Sequence, residues 1–234
     1  MRGLAKMKST HPLKNFTRPF INPLNKIDFL RGLSPNASIL DVGCGNNSPF
    51  FVKKILPKCA YTGIDVGDYN QTKPILADNY LITSSESFAD EIRKFANSFD
   101  AVISTHNLEH CDEREKTLEA MLKALKVGGR IFLSFPCEQS VSFPKRGGTL
   151  NYYDDQTHKF SPPSFKKVLG TFEELGFQLN HAAKNYSPKI YWIVGFIQEP
   201  ISKFRNKVMR GTWSYYGFES IIIATKTKPT QSPS

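Results

Sequence analysis

The sequence predicts an α/β fold, a doubly wound and mostly parallel sheet with helices on both faces. Three stretches predict it. Residues 38–51, SILDVGCGNNSPFF, run from apolar Ile39, Leu40 and Val42 through two glycines into a helix start. Residues 61–64 form a second short strand that ends on Asp65, and residues 101–103 form a third, followed by the polar group at 104–110. Short apolar strands alternating with helical patterns, each with polar residues at its carboxyl end, are the pattern of βαβ units whose ligands sit outside the strand tips.

The first turn is the most informative. Asp41 lies at the carboxyl end of the first strand. Gly43 and Gly45 let the backbone turn tightly and approach a ligand closely. Asn47 tolerates unusual dihedrals, Ser48 suits an N-cap and Pro49 suits the first helical position, so a helix should open here with free amides facing the ligand. The dinucleotide fingerprint G-x-G-x-x-G requires glycine at position 48, where this chain has Ser48. Asp65 lies 20 residues beyond Gly45, the separation at which an acid on the second strand meets a ribose edge. Its carboxylate would accept hydrogen bonds from the 2′ and 3′ hydroxyls. This device serves any nucleoside cofactor, and a turn aspartate before Gly67 is the alternative.

The remaining elements follow in order. Residues 1–33 are broken by Pro12, Pro19 and Pro23, and residues 25–33 form one or two helical turns with Ile27, Leu30 and Leu33 on one side. A helix over 49–56 is stopped by Pro57. Residues 66–80 have no clean helical period and contain Pro74, so the second helix is shortened or replaced by a loop. A strand over 80–83 and a helix over 88–96, with Phe88, Ile92 and Phe95 on one face, come next. Asp112 and Glu115 form a capping box for a helix carrying Leu118, Met121, Leu122 and Leu125, which Gly128 and Gly129 end before a strand over 130–135. Residues 136–160 are a long loop. Ser161 caps a further helix that ends at Gly176, with strands over 177–183 and 220–225. Between these strands an insert at 184–218 holds an apolar run over 190–197 and a helix beginning at Pro200. That helix carries Ile201, Phe204 and Val208 on one side, surrounded by Lys203, Arg205, Lys207 and Arg210.

The 234 residues, 40% hydrophobic and 22% charged, suit one soluble domain. Cys44, Cys59, Cys111 and Cys137 lack C-x-x-C spacing, which argues against zinc or a disulfide framework and suits a reducing cytoplasm. No apolar stretch has the length of a membrane span. The net charge of +10 is unevenly placed: residues 1–33 carry +6 and residues 184–210 carry +5, whereas residues 34–183 carry −2. The flanks therefore suggest an anionic acceptor, or peripheral contact between the basic insert and an anionic membrane; a solvated basic surface and packing of the apolar stripe on the domain are the alternatives.

Residues 41–47, DVGCGNN, resemble the first motif of class I S-adenosylmethionine-dependent methyltransferases, acid-x-Gly-x-Gly-x-Gly, with Asn47 in place of the last glycine. FDAVISTHNLEHC at 99–111 is similar to the fourth motif of the small-molecule branch, LKALKVGGRIFLSFP at 122–136 to its helix, Gly-Gly turn and fifth strand, and THKFSPPSFKKVLGTFEELGF at 157–177 to its sixth unit. The resemblance implies a Rossmann-like seven-stranded sheet in the order 3-2-1-4-5-7-6 with an antiparallel last strand. It implies S-adenosylmethionine as cofactor. Asp41, Gly43, Cys44 and Gly45 would then hold its methionine end, Asp65 and Val66 its ribose, Ser85 and Glu86 its adenine, and Thr105, His106 and Asn107 its sulfonium end. The methyltransferase domain would span 34–234 after a basic extension over 1–33, with the loop at 136–160 and the insert at 184–218 shaping the acceptor site. The acceptor would be a small molecule or glycan methylated at oxygen, such as a nucleotide sugar or a lipid-linked glycan. His158, then His106 and His110, are the candidate bases for its hydroxyl. Asp154 and Asp155 are too unspecific in spacing to predict a metal site, and none is expected. A nicotinamide-dependent oxidoreductase and a non-catalytic RNA-binding module are the alternatives; no motif of base methylation or aromatic stacking supports nucleic acid as partner. The oligomeric state is not readable.

Overall fold

The computed structural model describes residues 25–68 and 76–227. The expectations for residues 1–24, and for 69–75 within the irregular stretch after Asp65, lie outside these. Among the described residues seven strands form one sheet in the order β3-β2-β1-β4-β5-β7-β6. They are β1 (Ser38–Val42), β2 (Ala60–Asp65), β3 (Asn79–Ile82), β4 (Phe99–Thr105), β5 (Leu125–Pro136), β6 (Phe177–Tyr186) and β7 (Glu219–Lys226). β1 to β5 pair in parallel, and β7 runs antiparallel between β5 and β6. The helices are α1 (Lys26–Arg31), α2 (Ser48–Ile55), α3 (Phe88–Arg93), α4 (Arg114–Ala124), α5 (Phe165–Glu174), α6 (Lys189–Phe204) and α7 (Thr212–Tyr216).

The pleat sorts the core into two layers. Leu40 and Val42 of β1 and Ile222 and Ala224 of β7 pack with Phe88 and Ile92 of α3, Met121 and Leu122 of α4 and Phe172 of α5. Ile39, Ile221 and Ile223 point the other way, onto Phe29 and Leu30 of α1 and Val52 of α2. Strands covered on both faces read as continuous apolar runs, which is why the sequence signals them so clearly. β1 lies between β2 and β4, so the chain order reverses there and a crevice opens beyond the strand tips. All four cysteines are buried and free. Among the described residues no helix is long and apolar enough to cross a membrane.

Several local expectations are corrected. Ser48 is the first helical residue rather than the cap; Asn47 precedes it in the left-handed region at φ 65°. Asp112 and Glu115 do not form a capping box, because α4 starts at Arg114 after Glu113, without a side-chain cap. Gly128 and Gly129 do not end that helix. They lie inside β5, where the register slips between Phe99 and Ala101 of β4, and a Cβ on Gly129 would stand 2.8 Å from the Lys126 carbonyl oxygen. Ser161 precedes α5 by several residues, and Ser164 takes the cap position without a side-chain bond.

Pro200 does not start a helix; it sits within the continuous α6. A proline there removes one amide bond. Pro200 lies on the exposed side of the helix, where water can satisfy the freed carbonyl, and the inner side is firmly held. Gly195 meets Gly211 so closely that a Cβ would lie 2.2 Å from the Gly211 carbonyl oxygen. Glu199 receives both guanidinium arms of Arg146, at 2.8 and 2.6 Å, and Arg146 also donates to Ser202 at 2.8 Å. The loop at 136–160 and the insert are thereby locked together.

Removing one member of a buried ion pair strands the other charge. Arg146→Ala is therefore expected to lower the urea-unfolding free energy by about 3 kcal/mol, whereas the paired Arg146→Met, Glu199→Met variant should recover most of it. Equal stability of the single variant and the wild type would contradict the lock.

Candidate active site

The crevice at the tips of β1, β2 and β4 holds a cavity of about 430 Å3, lined by Gly43, Gly45, Asp65, Val66, Ser85, Phe88, His106, Asn107, His110, Cys111, Asp112, Thr117, Thr157 and Lys159. Its floor is the glycine turn. Gly43 has φ +70°, and a Cβ there would stand 2.3 Å from the Asn107 side chain, so the approach of the turn after β4 requires glycine. Gly45, at φ +53°, has nothing within 4 Å of where its Cβ would lie, leaving that side open to the cavity.

Asp65 is 5% exposed at the end of β2. Its Oδ2 accepts the Gly45 N–H at 2.6 Å and its Oδ1 accepts the Val66 N–H at 2.7 Å. Burial holds its carboxyl above the ordinary value against those two bonds. Each carboxylate oxygen keeps a further lone pair for a donor in the cavity, which is what a ribose diol supplies. The open glycine cradle and this buried acceptor at one cavity wall fit an adenosyl group. At the adjacent wall Asp112 pairs with Lys159 at 3.1 Å, and hydrogen bonds from Lys159 and Ser85 hold its carboxyl below the ordinary range.

Not every expected residue lines the cavity. Asp41 is turned into the protein, where it accepts from Ser48 and Tyr61 and lies 3.6 Å from Lys26. It holds the turn together from behind. Cys44 packs against Gly63, and burial pushes its thiol far up. Glu86 is exposed and bound by its own amide and by Ser84 and Ser85, so it does not meet the cavity. The Thr105 hydroxyl is buried and has no hydrogen-bond partner among the described residues. Gly43, Gly45, Asp65, Val66, Ser85, His106 and Asn107 line the cavity together.

The three histidines have different environments. His106 adopts φ 49°, which sets its ring between Glu109 at 3.1 Å and Glu219 at 3.2 Å, with Trp213 of α7 and Phe218 against it. Burial alone would lower its pKa, but bonds to the two carboxylates raise it to about 10. Both ring nitrogens face carboxylate oxygens, which favours the imidazolium, a form with no lone pair to take a proton. His158 does not line the cavity. Its ring stacks on Tyr152 at 4.2 Å and its Nδ1 meets the Tyr152 carbonyl oxygen at 2.5 Å; burial lowers its pKa. His110 lines the cavity directly.

His110 also has the informative partner. Its Nδ1 lies 3.0 Å from the Thr157 hydroxyl, which in turn donates to Asp155 at 2.6 Å. Burial acts to raise the Asp155 carboxyl, but the bonds from Thr157 outweigh it and keep it below the ordinary value. The one Thr157 proton therefore goes to a carboxylate, so Thr157 can only accept from His110 Nδ1–H, leaving the lone pair of neutral His110 on Nε2. Asp154 accepts three backbone amides, from Arg146, Leu150 and Asn151, so both loop aspartates serve the chain itself. The sequence predicts no metal site; the donor atoms of Glu109, His110 and His158 nonetheless lie within 4.8 Å of one another.

Sequence reasoning missed Asp112, which it placed in a capping box, and Thr157, Lys159 and Trp213. Thr157 and Lys159 flank His158, the residue singled out, and that proximity was the available signal. Trp213 arrives from the insert, and nothing in its neighbourhood marks it.

A model described as "Methyltransferase domain" matches residues 18–182. The chain is 32% identical over 197 residues to a ubiquinone biosynthesis O-methyltransferase of Hydrogenovibrio crunogenus, covering 71% of this chain and 76% of that one. A ubiquinone biosynthesis O-methyltransferase of Pseudomonas paraeruginosa is 31% identical over 125 residues. The chain spans 39% and 51% of the length of the first curated relatives it matches. Among solved structures, an S-adenosylmethionine dependent methyltransferase from Mesorhizobium loti superposes with a TM-score of 0.58 at 15% identity, over 85% of this chain and 96% of that one. The sheet order, the open glycine turn with its buried acid and the family match agree with one another: the chain belongs to the methyltransferase domain family.

Proposed function

We propose that this enzyme methylates a hydroxyl of a small-molecule acceptor, with His110 taking the hydroxyl proton. The observation that carries this reading is the Asp155–Thr157–His110 chain, which leaves the Nε2 lone pair of a cavity-lining histidine available as a base. The Hydrogenovibrio crunogenus relative, a ubiquinone biosynthesis O-methyltransferase, points the same way.

S-adenosylmethionine supplies an already activated methyl group, so the protein has mainly to align the acceptor and exclude water. Asp65 would take the ribose hydroxyls, Gly43 and Gly45 the close backbone approach, and Ser85 and Asp112 the far end of the cavity. His106 would serve as a fixed cation that orders Glu109 and Glu219. His158, whose ring lies tilted against that of His110 at 4.8 Å, would hold that ring in place. The loop at 136–160 and the insert at 184–218 would form the acceptor side, through Trp213 against His106. Asp65 and Asp112 line the cavity beside two cations, Lys159 and His106, so its charge is balanced and selects neither sign of acceptor. The anionic partner suggested by the basic flanks would meet the surface of the insert. The family match favours methyl transfer over the nicotinamide reading.

A labelled-methyl screen across phenols, nucleotide sugars and glycans tests the reading; methyl transfer to amines alone would contradict it. With an acceptor in hand, His110→Ala should lower kcat by about 10²-fold or more, and Thr157→Val by about tenfold with KM little changed. Unchanged kcat in His110→Ala would remove it as the base. Asp65→Asn should weaken S-adenosylmethionine binding in calorimetry by tenfold or more, on the order of 1.5 kcal/mol.

His106 generates a separate test. Its folded pKa of about 10 lies above the ordinary value near 6.5, so its contribution to stability is fully present below about pH 6.5 and is lost as pH rises through 10. In ring-proton NMR it should stay protonated at pH 8, and Glu219→Gln should shift its titration downward. A wild-type His106 titrating near 6.5 would contradict the account.

A further inference from the structure

The inner side of α6 is fastened by Gly195 against Gly211 and by Glu199 and Ser202 on Arg146. Among the described residues nothing covers its outer side. Ile190, Ile193, Phe196, Ile197, Ile201 and Phe204 recur at helical spacing along 16 residues, about 24 Å of helix, with Ile197 67% and Phe204 91% exposed. Isolated exposed apolar residues are ordinary, but a continuous row along one helix face marks a contact surface. Trp192 stacks on Phe196 at 5.5 Å and meets Tyr215 of α7 at 5.8 Å, placing an aromatic cluster beside the row. At the carboxyl end of the helix stand Arg205, Lys207 and Arg210, none of which is in a salt bridge among the described residues.

We propose that the outer face of α6 docks on an anionic lipid bilayer, with the apolar row entering the interface and Arg205, Lys207 and Arg210 meeting the head groups. Charge selects this occupant. A second copy paired face to face would set against these cations the same helix, whose one acid, Glu199, is already held by Arg146. Residues 1–24 carry five Lys and Arg and no acid, so that segment is repelled by the same cations. A lipid surface of negative potential complements them, while the row of Ile and Phe with Trp192 beside it matches the composition of helices that lie in the interfacial plane. The proposal goes beyond the methyl-transfer reading and does not depend on it.

Cosedimentation of the full chain with vesicles tests it. The protein should bind phosphatidylcholine vesicles containing phosphatidylglycerol, not phosphatidylcholine alone, and binding should fall as salt rises. Two variants alter only exposed positions: Ile197→Glu with Phe204→Glu, and Arg205→Glu with Arg210→Glu. Each should reduce binding by about tenfold or more, with circular dichroism and S-adenosylmethionine binding unchanged. Absence of wild-type binding, or equal binding to neutral vesicles, would overturn the proposal. Wild-type binding by both variants would overturn it in favour of the basic segment at 1–24. A concentration-dependent dimer in light scattering that Ile197→Glu abolishes would overturn it in favour of a self-interface.

Discussion

The site depends on the crowding at Gly43. β1 is clasped between β2 and β4, and the turn that leaves it must pass the turn that leaves β4 with no room for a side chain: a Cβ on Gly43 would fall 2.3 Å from Asn107. Gly43 also takes a positive φ, a second reason for glycine there, and the chain keeps to the left-handed region at Gly45 and Asn47 before α2 begins. Asp65 then fixes the loop from the front by taking the Gly45 amide, and Asp41 fixes it from behind through Ser48, Tyr61 and Lys26. Burial first, and the Asp41 charge second, push the Tyr61 phenol far up, so it remains a donor to that carboxylate. Two acids in one turn thus have different tasks, one inside the fold and one at the cavity wall.

A second constraint shapes the acceptor side. Within the insert α6 is held by the close approach of Gly195 and Gly211, and the insert is tied to the loop at 136–160 by the Arg146–Glu199 pair and by the bond from the Trp213 indole to the Thr149 carbonyl at 2.9 Å. These bonds also bring Trp213 and Phe218 onto His106, and hence the insert onto the cavity wall. The helix that emerges is tightly packed on one side and apolar but open on the other.

The sheet and its crevice were legible in the residues because buried parallel strands are continuous apolar runs, and because Gly43, Gly45 and Asp65 have few other reasons to stand at those spacings. What was not legible depends on distant partners. Asp41 matches the cofactor motif in sequence, but its burial against Tyr61 and Lys26 appears only when β1 and β2 are side by side. His106 reads as a base until Glu109 and Glu219, the latter 113 residues away, are found on its two nitrogens. Pro200 reads as a helix start because local rules cannot tell that its missing amide bond faces solvent. The Gly128–Gly129 pair reads as a helix stop, since the register slip that places it inside β5 is a property of the pairing with β4.

The most direct test of the central claim is a crystal structure with S-adenosylhomocysteine. The account predicts the nucleoside in the cavity beside Gly45, with its ribose hydroxyls on the Asp65 carboxylate. A nucleoside bound elsewhere, or bound there with Asp65 making no contact to the ribose, would contradict it.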